Sequence, residues 1–148
     1  MPSIIPGYIY TLFAALIVGT IIISACTLAT LNVKNEAINQ QLTNMDQYVA
    51  AQSLMLLTGV AQADQNVTQV LDLPESVGNQ IYWISIANDS SGAWVSSGFG
   101  STAVTSQQGI PIPARVSASG VFVSSYGHPT LQCQYVNQSL ILTLFGDY

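Results

Sequence analysis

Few side chains in this sequence are equipped for chemistry. His128 is the single histidine, Cys26 and Cys133 are the two cysteines, and Lys34 and Arg115 are the whole basic complement against seven acids. His128 stands in Tyr126-Gly127-His128-Pro129, a loop with no carboxylate or cysteine nearby in sequence to form a proton-transfer pair. No phosphate-cradling glycine loop, zinc spacing or nucleophile elbow occurs. The reading is therefore of a non-enzyme without catalytic, cofactor-binding or metal-binding residues. The spacing that does specify a chemistry is the N-glycosylation sequon, present as Asn66-Val67-Thr68, Asn88-Asp89-Ser90 and Asn137-Gln138-Ser139. All three fall in predicted connectors or turns, where an acceptor for a covalent glycan should be. Cys26 is read into a helix and Cys133 into a strand of another domain. No intrachain disulfide is expected, and both are read as buried small apolar residues.

These residues are set in a chain that is 49% hydrophobic and 6% charged, whereas an ordinary soluble domain carries roughly 25% charged residues. Neutral polar residues fill the gap: 16 Ser, 11 Thr, 8 Asn and 13 Gln. A net charge of −5 with two basic residues cannot neutralise a phosphate backbone, so nucleic acid is excluded as a partner. A mean hydropathy of +0.42 is too apolar for a disordered chain. What survives is a membrane-linked, secreted or assembled protein with one modest domain.

The element that must position everything else is N-terminal. The first 33 residues carry no charge, and Tyr8 to Leu31 holds nothing more polar than Thr and Ser. That is longer than the roughly 20 apolar residues that cross a bilayer. Past Lys34 and Glu36 the apolar positions keep helical spacing through Leu31, Ile38, Leu42, Met45, Val49, Leu56 and Val60. Residues 32 to 58 contain neither Pro nor Gly, so one helix is expected from about Tyr8 to about Gly59, roughly 75–80 Å long. A domain of fewer than 90 residues cannot bury such a rod, and its outer half must find partners in other chains.

From Val60 the character changes. Asp64, Asn66, Asp72, Pro74 and Gly78 mark a connector. Ile81–Ala87 and Ala93–Ser97 flank the turn-forming Asn88-Asp89-Ser90-Ser91-Gly92, a predicted hairpin. Gly120–Ser125 is short and β-branched, and Leu131–Val136 alternates apolar and polar residues as a strand with one wet face does. Ser139–Phe145 is apolar on both faces and is expected to be buried on both. Residues 98 to 119, rich in Gly, Ser, Thr and Pro, are not placed. The expected fold is α+β: an N-terminal hydrophobic helix (1–60), a connector (61–79) and a small antiparallel, sandwich-like β head (80–148).

This layout resembles the type IV pilins, and more closely the archaeal pilins and archaeal flagellins of that superfamily. The resemblance rests on the uncharged helix of residues 8 to 33, its continuation to about residue 59, and the β domain behind it. Leu73-Pro74-Glu75-Ser76-Val77-Gly78-Asn79-Gln80-Ile81-Tyr82-Trp83-Ile84-Ser85-Ile86 is similar to the Leu-Pro…Gly…Tyr-x-Ile entry into the first strand of archaeal pilin-like proteins. Two departures stand out. No basic leader precedes Tyr8, as expected of a sequence in its cleaved form, and Ile5 stands where bacterial pilins tend to have Glu.

The resemblance implies self-assembly into an extracellular filament, an archaeal pilus used for attachment, with the helix held in the membrane beforehand. Leu12, Leu16, Gly19, Ile22, Ile23, Leu28, Leu31, Ile38, Leu42, Met45, Val49 and Leu56 are the expected assembly residues. Gly19 with Thr20, Ser24 and Thr27 would let neighbouring backbones approach closely. Residues 76 to 148 carry only Asp89, Arg115 and Asp147 as charges. A surface this neutral invites aggregation unless something such as glycan at Asn66, Asn88 and Asn137 covers it.

The sequence also allows other readings. Ile23-Ser24-Ala25-Cys26 matches a lipobox, but the basic n-region and short apolar run of a signal peptide are missing. The alternatives are a membrane-anchored extracellular β-domain protein, such as an archaeal flagellar-motor stator component, or an archaeal flagellin. In the anchored case residues 32 to 59 should be a linker or a helix packed on its own domain.

Overall fold

The computed structural model describes residues 4–63, 66–104, 109–112, 116–136 and 139–147. By contact the chain divides into two compact units, Met1–Ala37 and Ile38–Tyr148. Helix α1 spans Ile4–Ala63 without interruption. Within the first unit it is the whole structure.

In the second unit α1 is one layer and a seven-stranded sheet is the other. The strands are β1 (Val67–Val70), β2 (Tyr82–Asn88), β3 (Ala93–Phe99), β4 (Ile110–Ile112), β5 (Ser117–Val123), β6 (His128–Val136) and β7 (Ser139–Asp147). Their spatial order is β1-β6-β7-β5-β2-β3-β4. Every neighbouring pair is antiparallel except β5 and β7.

This corrects the expectation of an antiparallel, sandwich-like head. There is one mixed sheet, and the helix supplies the second apolar layer that a sandwich would draw from a second sheet. The parallel pair follows from connectivity. Strand β7 runs antiparallel to β6, with Ser139 opposite Val136, and is inserted between β6 and β5.

The register sorts the two faces. Tyr82, Ile84 and Ile86 of β2, Val95 of β3, Ala118 and Phe122 of β5, Leu131 and Cys133 of β6, and Leu142 and Leu144 of β7 are buried in one core. The helix enters the same core with Leu42, Met45, Val49, Ala50, Leu56, Leu57 and Val60. With buried Ser53 between them, Leu42, Met45, Val49, Leu56 and Val60 follow steps of three and four residues, and Ala50 and Leu57 flank that single helical face. Gly120 is required where β5 meets β7. Its φ is +132°, and a Cβ there would collide with the Leu144 carbonyl. Gly98 lies beneath the Trp83 ring across the β2–β3 ladder, and a Cβ would strike the indole.

The β2–β3 hairpin closes as its sequence suggests. Asp89 Oδ1 accepts from Ser91 N at 2.7 Å and from Gly92 N at 3.2 Å, an Asx turn. Those bonds, with the Ser91 hydroxyl, hold the Asp89 carboxyl below its ordinary range.

Candidate assembly surface

From Gly7 to Ala37 every helix side is exposed, with Gly19 alone half-buried. Leu12, Leu16, Ile22, Ile23, Leu28 and Leu31 are between 49% and 67% exposed, and a Cβ at Gly19 would meet nothing within 4 Å. Water does not stabilise so much apolar surface on one helix. The helix is long and apolar enough to cross a membrane.

Up to Leu31 the Thr and Ser side chains of this segment are satisfied within the helix. Thr11, Thr20, Ser24, Thr27 and Thr30 each donate their hydroxyl to a carbonyl one turn back, at 2.8–2.9 Å. A hydroxyl satisfied by its own helix needs no water, so the segment presents an essentially apolar exterior to lipid or to other helices.

Beyond Ala37 the same stripe has a different destination, and the assembly assignment is corrected there. Leu42, Met45, Val49 and Leu56 are buried in the core of the chain's own second unit, and Ile38 packs against it. Their spacing was read as a surface for neighbouring chains; it is filled by the sheet. Helix and sheet are joined by polar contacts as well. Gln69 Nε2 donates to Gln52 Oε1 at 3.0 Å, and Ser97 Oγ donates to Asp46 Oδ2 at 2.7 Å.

Asp46 escaped the sequence reading. It is only 9% exposed, and its Oδ1 is buried without a hydrogen-bond partner. The signal was present: residue 46 is four after Leu42 and three before Val49, so it lies on the apolar stripe. Burial pushes its carboxyl up to about 6 from 3.8, against a lowering effect of the Ser97 hydroxyl.

The sequons fare differently. Asn66 is exposed just before β1, and its Oδ1 accepts from Tyr135 N at 3.4 Å. Asn88 is the exposed last residue of β2, not a turn residue, and its Oδ1 accepts from Ala118 N at 3.1 Å. Asn137 lies outside the described residues. Cys133 is buried, and burial raises its thiol; Cys26 is exposed, contrary to expectation, and both are free.

His128 is the exposed first residue of β6. Folding gives it neighbours that its sequence context lacks. It shares a cleft of about 580 Å³ with Asp72, Glu75, Ser124 and Ser125, walled by Phe122. Among the described residues no group of three or more His, Cys, Asp or Glu could hold a metal ion. Tyr82 closes the core nearby. Its hydroxyl donates to Pro74 O at 2.5 Å, and burial pushes it up to about 12.

No protein-family model, curated protein or solved structure matches the chain.

Proposed function

We propose that this chain is a structural subunit of an extracellular filament of the type IV pilus kind, assembling through residues 7–37 and serving attachment. The observation that carries the reading is the contrast along α1. Residues 42–60 are seated on the sheet, while the uncharged turns from Gly7 to Val33 are exposed with their hydroxyls bonded back to the helix. Such a segment suits lipid before assembly and a bundle of identical helices after it. Transfer between the two costs little, because hydrocarbon and a core of Leu and Ile are similar solvents. Glycan at the sequons would cover the weakly charged head. On this reading the subunit does no chemistry.

One observation favours a second reading. The packing of residues 42–60 on their own sheet is what a membrane-anchored extracellular β-domain protein requires. Shearing cells separates the two. The filament reading expects this polypeptide as the dominant band of the released fibres; the anchored reading expects it in the membrane fraction as a small oligomer.

A further inference from the structure

We propose that Asp46 is an acid-set latch between α1 and the sheet, its protonated carboxyl seating the helix against β3 and its ionised form working against that seat. The geometry is that of a carboxyl group in an apolar seam. One oxygen takes the Ser97 hydroxyl at 2.7 Å, and the other is buried with no donor among the described residues. A buried carboxylate missing both a cation and a second hydrogen bond is costly to charge, whereas the neutral acid is tolerated.

Among the described residues, nothing facing it offsets that cost. One turn away on the helix stand Leu42, Thr43, Val49 and Ala50, none of them ionisable. The inner face of β3 offers Val95, Ser97 and Phe99. On the other strands packed against the helix, β2 carries Tyr82, β6 carries His128, Cys133 and Tyr135, and β7 ends at Asp147, while Tyr48 of α1 packs against the same core. Burial raises Tyr82 and Cys133, so these two stay neutral wherever Asp46 titrates, and His128 and Tyr135 are exposed toward the two ends of β6. Burial, then the Ser97 hydroxyl, set the ionisation of Asp46.

The folded carboxyl titrates near 6 and the unfolded one near 3.8. The latch therefore contributes fully below about pH 3.8 and is lost as pH rises through about 6. It operates within residues 38–148, whatever covers residues 7–37.

The test uses the full chain in a non-ionic detergent, unfolded by urea at pH 4.5 and at pH 7.5, as wild type, Asp46→Asn and Ser97→Ala. Between those pH values the wild-type folding constant should fall by up to roughly 25-fold relative to Asp46→Asn. Asp89, held low, remains ionised across the window. Ser97→Ala removes the bond that favours the carboxylate, so the midpoint of the stability loss should move to higher pH. Parallel pH profiles for wild type and Asp46→Asn would overturn the latch. So would an unmoved midpoint in Ser97→Ala, which keeps Asp46 and serves even if Asp46→Asn does not fold.

Discussion

Truncating Leu57 to alanine should unfold the sheet unit far more readily, while truncating Leu28 should leave it untouched. Leu57 is 2% exposed and belongs to the helix–sheet core; Val49 and Val60, on the same helix face, are fully buried. With the helix pinned on both sides, the cavity cannot collapse. A loss of about 3–4 kcal/mol is expected, within the range for buried leucines. At a urea dependence of about 2 kcal/mol per molar, the midpoint should drop by roughly 1.5–2 M. Leu28 is 62% exposed on the other unit, and its truncation should change the midpoint by less than about 0.5 kcal/mol equivalent. Trp83 in β2 is 3% exposed and reports unfolding by fluorescence, so both variants can be followed in detergent without a label. If Leu57→Ala costs under about 1 kcal/mol, or Leu28→Ala costs as much as Leu57→Ala, the seat of the helix on its own sheet is wrong.

Three further outcomes are expected. Gly120→Ala should break the parallel β5–β7 contact, because an L side chain resists a φ of +132° and its Cβ meets the Leu144 carbonyl; loss of amide-exchange protection along β5 and β7 measures it. Ile22→Asp puts a charge amid uncharged turns at a cost of about 2.5–3.5 kcal/mol in a bilayer centre, so membrane-inserted subunit and filaments should both vanish from fractionated cells while the head stays folded. Mass spectrometry of native protein should find glycan at Asn66 and Asn88, both exposed and bonded through Oδ1; unmodified peptides at both would remove the glycan account.

Local patterns were legible and non-local ones were not. The hairpin of β2 and β3 is legible in its turn residues, and the strand Ser139–Phe145 in its apolar run, but that strand is not buried on both faces as expected: Leu142 and Leu144 are buried, while Ile141, Thr143 and Phe145 on the other face are half-buried. The alternation of Leu131 and Cys133 against Gln132 and Gln134 identified the wet face of β6. Strand β1 was read as connector, because Val67–Val70 is four residues long and gains its place only by pairing with β6. Strand β4, three residues around Pro111, was invisible for the same reason. Helical spacing fixes which residues share a face but not what that face meets. This is why Leu42, Met45, Val49 and Leu56 were assigned to neighbouring chains. Asp46 was missed for a related cause: its cost appears only once the sheet closes over it.

The direct test of the account is electron cryo-microscopy of material sheared from the cell surface. It should show helical fibres in which residues 7–37 of many copies pack around the axis, each α1 leading outward to its own sheet. A chain recovered only from membranes, with residues 7–37 surrounded by lipid or detergent and no fibres present, would contradict it.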